Sequence, residues 1–146
     1  MRHALLEWLP LAGLIRDSAG NLYGTALGGN GFGKIFRLNE SGQETDLLNF
    51  TYDSGSTGPG AALLRHVRGN LYGSTDEGGT HHFGTVFKLN NVGQQVVLHD
   101  FTGTADGSTP DSTLTMDDAG NLYGTTLSGG TGSCEDGCGV VFKITP

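Results

Sequence analysis

Gly20-Asn21-Leu22-Tyr23-Gly24 returns unchanged as Gly69-Asn70-Leu71-Tyr72-Gly73 and again as Gly120-Asn121-Leu122-Tyr123-Gly124. A proline stands ten residues before each copy (Pro10, Pro59, Pro110), and a leucine follows each proline by four (Leu14, Leu63, Leu114). A Gly-Gly pair comes after each copy, at Gly28-Gly29, Gly78-Gly79 and Gly129-Gly130. Next comes a glycine heading an apolar run: Gly33-Lys34-Ile35-Phe36-Arg37-Leu38, Gly84-Thr85-Val86-Phe87-Lys88-Leu89 and Gly139-Val140-Val141-Phe142-Lys143-Ile144. One order of landmarks kept three times is the signature of a tandem repeat.

Each unit offers four short strands between turn signals. The first is Leu14–Asp17, with Leu63–His66 and Leu114–Asp117 as its counterparts. The turn glycine (Gly20, Gly69, Gly120) suits a positive φ, and the Asn21–Thr25 segment and its equivalents form the second strand. The Phe36, Phe87 and Phe142 runs give the third. Thr45–Phe50 and Val96–Phe101 give a fourth in the first two units.

Four antiparallel strands in about 50 residues is the size of a β-propeller blade. On strand three, Phe36 and Leu38 share one face while Ile35 and Arg37 share the other. Both faces therefore carry apolar surface, as a blade between two neighbours needs. The expected fold is all-β: about three four-stranded blades, with a β-solenoid as the rival architecture. The units run 10–58, 59–109 and 110–146, the last ending after its third strand. Residues 1–9 read as the end of a preceding repeat or as a closing strand. Closed propellers have roughly four to eight blades. Three blades thus point to a longer array, to assembly with other copies, or to His3–Leu9 supplying a fourth strand to the third unit.

Composition agrees. There are 26 glycines in 146 residues, and charged residues make up only 16%. Interior glycines cost a helix about 1 kcal/mol each, so long helices are not expected. The net charge of −7 argues against phosphate-neutralising contact with nucleic acid. No apolar run approaches the ~18 residues of a membrane-spanning helix. Glu7 and Pro10 interrupt the apolar start, which lacks a small-residue cleavage site.

Three stretches carry a family likeness: the Leu-Tyr-Gly-Thr strings, Gly78–Leu89 and Val97–Gly103. They resemble the bacterial GloVer tandem repeat, named for Gloeobacter and Verrucomicrobia and found in choice-of-anchor proteins. The likeness covers residues 10–146. It implies an exported or surface-attached protein with a propeller-like repeat domain, and it brings no catalytic residues with it.

Cys134 and Cys138 lie in a third-unit loop that is longer than its counterparts, with eight residues between the glycine pair and the strand glycine against three and four. The pair suits a disulfide that clips the longer loop, with free thiols or a metal site as the other readings. A disulfide would imply an oxidising compartment. Asp76, Glu77, His81 and His82 form the densest titratable cluster and are the loop candidates for ligand contact. A polar exposed loop is the rival reading, since adjacent histidines on extended chain point apart. Asp17 and Asp117 precede matching turns, where capping accounts for them. The phenylalanines are expected in the core, and the tyrosines are divided between core and sugar platform. No nucleophile elbow, phosphate loop, zinc-protease motif or calcium loop occurs, so no catalytic residue, metal or cofactor is expected.

The functional expectation is an exported module for binding or surface structure, meeting carbohydrate, protein or other copies of itself. A polysaccharide-active enzyme with carboxylates converging at a propeller mouth is one rival. A self-assembling filament or ring subunit is the other.

Overall fold

A computed structural model describes residues 8–10, 12–28, 32–51, 56–135 and 137–146. The described residues contain fourteen strands and no helix. In the first unit these are β1 (Trp8–Leu9), β2 (Ile15–Arg16), β3 (Leu22–Gly28), β4 (Lys34–Leu38) and β5 (Glu44–Asn49). In the second they are β6 (Ser56–Thr57), β7 (Leu64–Arg65), β8 (Leu71–Thr75), β9 (Glu77–Gly78), β10 (Thr85–Leu89) and β11 (Gln95–Asp100). In the third they are β12 (Thr115–Met116), β13 (Leu122–Thr125) and β14 (Val141–Ile144). Each repeated pentapeptide therefore enters a second strand, as its equivalence requires.

The sheets are antiparallel meanders. The first sheet is the meander β2-β3-β4-β5 with β1 also paired to β3, β7-β8-β10-β11 is four-stranded, and β12-β13-β14 has three strands. Register repeats with the sequence: Leu22 pairs Leu38, Leu71 pairs Leu89 and Leu122 pairs Ile144. Strands three and four shift register at Ile35/Phe36 in the first unit and at Val86/Phe87 in the second, so even the irregularity recurs.

Two local requirements explain the pentapeptide. Its first glycine sits at φ 83°, 86° and 85° in the three copies, a left-handed turn position that glycine occupies without steric cost. Its last glycine lies under the strand-three phenylalanine. A Cβ on Gly73 would stand 2.7 Å from Phe87 Cζ, and one on Gly24 would stand 2.8 Å from Phe36 Cζ. Only a bare Cα leaves room for the ring.

Successive sheets pack face to face. Ile15, Tyr23, Ile35 and Phe50 of the first unit meet Leu63, Leu71, Phe87 and Leu89 of the second. Tyr72, Val86 and Phe101 of the second meet Leu114, Leu122, Phe142 and Ile144 of the third. Edge-on ring pairs bind both seams, Phe50–Phe87 at 5.8 Å and Phe101–Phe142 at 5.2 Å between centroids. Each unit thus has a leading face toward its predecessor and a trailing face toward its successor. Phe87 fulfils the expected burial between sheets. Phe36 is buried too, but on the leading face of the first sheet. Phe142 is half-buried, because β14 is the edge strand of its sheet.

Segments preceding each proline reach onto the next sheet. Ser56–Thr57 pair with Gly78 and Glu77, and Ser108 bridges to Ser128. Trp8–Leu9 pair in the same way with Gly28 and Leu27 of the first sheet. His3–Glu7, most of the segment read as a strand for the third unit, lie outside the described residues, and Trp8–Leu9 go to β3. The physical reason is that β3 runs past the end of β4, leaving backbone groups that β1 satisfies.

Truncating Phe87 to alanine is expected to cost about 3–5 kcal/mol in urea unfolding, and truncating Phe142 distinctly less. Equal losses would show Phe142 to be packed as deeply as Phe87.

Candidate functional site

The turn between the first two strands of a unit is built around one carboxylate. Asp17 Oδ1 accepts from the backbone N–H of Ala19 and Asn21, at 3.0 and 2.9 Å. Asp17 Oδ2 accepts from Asn21 Nδ2 at 2.9 Å and Tyr23 Oη at 3.0 Å. Asp117 repeats the set with Ala119, Asn121 and Tyr123, the tyrosine bond being 2.8 Å. The Asn21 side chain is the main cause that lowers Asp17 from the usual 3.8 to about 2, and Asn121 does the same for Asp117, with Tyr123 next. The capping reading of these acids is therefore met. In the second unit His66 replaces the acid, and Tyr72 is buried instead.

A groove opens between the first and second sheets beside this turn. Its cavity, of about 210 Å³, is lined by Tyr23, Arg37 and Leu47 on one side and by Arg65, Leu71, Asn90 and Asn91 on the other. The Arg65 guanidinium crosses the seam, standing 5.6 Å from the Tyr23 ring centroid and 4.0 Å from Asp17 Oδ2. The Nε atoms of Arg37 and Arg65 are both buried, and neither donates a hydrogen bond among the described residues. Two guanidinium groups lining one concave, tyrosine-flanked site favour an anionic oxygen ligand.

Sequence reasoning did not single out this pair. The available signal was a basic residue at one strand-three position in every unit (Arg37, Lys88, Lys143). That Arg37 and Arg65 face one cavity depends on the inter-sheet register, which no single unit contains.

The structure separates the loop candidates. His81 Nδ1 stands 3.7 Å from Asp100 Oδ2, and His82 is exposed with φ 64°. Glu77 is exposed on β9. Asp76 turns elsewhere: a Cβ on Gly60 would stand 3.7 Å from Asp76 Cγ and 2.8 Å from Asp111 Oδ1. Burial raises the Asp76 carboxyl above its ordinary range, and the charges of Glu77 and Asp111 add to the rise. Its Oδ1 is buried without a hydrogen-bond partner among the described residues. His99, mid-strand, packs its ring 4.5 Å from Phe101 and bonds Asp106 at 3.2 Å.

Cys134 and Cys138 are joined, with Sγ–Sγ 2.00 Å, across the extended loop. Among the described residues no group of three His, Cys, Asp or Glu side chains could hold a metal ion. No helix of the described residues is long and apolar enough to cross a membrane.

Tandem antiparallel sheets stacked face to face, each opening on the same pentapeptide turn, define a blade-type repeat protein. The chain belongs to the Gloeobacter/Verrucomicrobia repeat family, whose model matches residues 7–146. No curated protein matches it. A solved structure assigned as a gluconolactonase is similar at 19% identity and a TM-score of 0.47. The match covers 91% of this chain and 47% of that one, so this chain spans about half of its length.

The depressed carboxyls set a pH dependence. A folded-state value below the unfolded one stabilises the turns above about pH 4. That contribution is lost as pH falls from 3.8 toward 2. Carboxyl ¹³C titration is expected to place Asp17 and Asp117 near 2. Midpoints at the ordinary aspartate value would mean the turn bonds do not form in solution.

Proposed function

We propose that this chain is an exported binding module whose ligand is an acidic saccharide unit held in the Arg37–Arg65 groove. The observation that carries the reading is that Arg37 and Arg65 line opposite walls of one cavity. Arginine presents its donors as a planar fork that matches a carboxylate, and Tyr23 adds a flat apolar face for a ring. Asn91 supplies an amide group for hydroxyls. The volume is below the roughly 300–1,000 Å³ of drug-sized pockets, so it suits one sugar ring or a chain end. Export is supported by the disulfide and the family likeness.

Calorimetric titration with oligogalacturonate tests the reading, with a neutral oligosaccharide as control. Arg37→Ala is expected to weaken binding about tenfold or more, and Arg37→Lys is expected to restore part of it. Equal affinity for the neutral sugar, or no loss in Arg37→Ala, would overturn it.

A second reading, a polysaccharide-active enzyme, draws on Asp76. A carboxyl raised by burial and lying near a second carboxyl is the arrangement from which a general acid is made. It predicts release of reducing ends from a polysaccharide by the native chain and loss of that activity in Asp76→Asn. Absence of turnover leaves the binding reading alone.

A further inference from the structure

The two interior seams show what a leading and a trailing face do when they meet, and the outermost faces carry counterparts of the same residues that stand more exposed. On the leading side, Leu63 and Leu114 are 2% exposed, whereas their first-unit counterpart Leu14 is 49% exposed. On the trailing side, Ile35 and Val86 are 0% exposed, whereas their third-unit counterpart Val141 is 80% exposed.

The polar contacts across the seams follow the same arithmetic. Thr25 Oγ1 donates to Ala61 O at 3.5 Å, and Ser74 Oγ donates to Ser112 O at 3.4 Å. The corresponding hydroxyl on the third trailing face is Thr125, and the corresponding carbonyl on the first leading face is that of Ala12. Charge is matched as well. Asp17 is met by Arg65 across the first seam. At the second seam His66 and Met116 occupy those two positions, so the acid and its arginine are missing together. Among the described residues Asp117 on the third trailing face has no cation, and exposed Arg16 on the first leading face no acid, within ion-pair distance.

The grooves agree too. A surface recess is lined by Arg16, Gly20, Leu22, Leu38, Asn39, Glu40 and Gly42. These are the repeat equivalents of Arg65, Gly69, Leu71, Leu89, Asn90, Asn91 and Gly93, the second-unit wall of the Arg37–Arg65 groove. The opposite wall is missing there, and Tyr123 and Lys143 are the third-unit counterparts of Tyr23 and Arg37.

We infer that the trailing face of the third unit docks onto the leading face of the first unit in a second copy of this chain. The junction seats Val141 against Leu14, brings Arg16 to Asp117 and Tyr123, and closes a second groove from two copies. It is a heterologous, head-to-tail contact, which forms rings where the rotation closes and filaments where it does not. Two copies joined at both faces hold six units, within the roughly four to eight of closed propellers. Assembly is independent of the ligand proposal: sedimentation reads the one, calorimetry the other.

The test is analytical ultracentrifugation of the 146-residue chain over a roughly 100-fold concentration range, alongside Val141→Arg and Leu14→Arg. Both substituted side chains are exposed within a single copy, so circular dichroism is expected to be unchanged, while melting falls only by what association adds. The native chain is expected to sediment as a dimer or a longer species. Each variant alone is expected to be monomeric, since each has lost one partner of every junction. Mixed in equal amounts, the two retain one intact leading and one intact trailing face, and are expected to form a 1:1 complex. Arg16→Glu is expected to weaken self-association about tenfold or more. A native chain that is monomeric throughout, or a mixture of the two variants that stays monomeric, would overturn the inference.

Discussion

Burial between successive sheets is the contact on which the rest of this structure depends, because no unit has a layer of its own to cover its apolar faces. Leu63, Leu71, Phe87 and Leu89 are buried against Ile35 and Phe50 of the preceding unit. Leu114 and Leu122 depend in the same way on Val86 and Phe101. Stability therefore accumulates seam by seam, as in other repeat proteins. The residues that keep the seams in register are those that recur in sequence: the ring of strand three, the glycine beneath it and the tyrosine beside it.

Polar groups are placed to serve that stacking. The Asp17 and Asp117 carboxylates each accept four hydrogen bonds, fixing the turn that sends strand two across the sheet and orienting the tyrosine hydroxyl. Lys34, buried in the first sheet, has burial working to lower its pKa; its bonds to Asp46 and Glu44 overcome this and hold it above its ordinary value. Its counterparts Thr85 and Val140 carry no charge, and the acids opposite become Gln95 and Val97 in the second unit. Charged groups in this chain change as sets. The same holds across the seams, where Asp17 and Arg65 give way to His66 and Met116.

Loops carry what differs between units. The third loop is the longest, and the Cys134–Cys138 bond closes it. In the second unit, the stretch read as one titratable cluster divides between two directions, His81 toward Asp100 and Asp76 toward Gly60 and Asp111. A loop's sequence lists its donors and acceptors. Which of them meet depends on the neighbouring unit, here the start of the third, which supplies Asp111.

The sequence by itself determined the repeat, the strand order within each unit, the glycines that must turn or make room, the burial of Phe87 and the capping role of Asp17 and Asp117. These are local matters: a φ value, a two-residue alternation and a hydrogen bond spanning four residues leave their trace in one stretch of chain. Tertiary structure decided where Trp8–Leu9 pair, which way Asp76 faces, and that Arg37 and Arg65 line one cavity. Those outcomes rest on residues brought together from different units, Arg37 and Arg65 being 28 positions apart in the chain. They are set by how one sheet sits on the next, a relation that the pattern within a single unit does not encode.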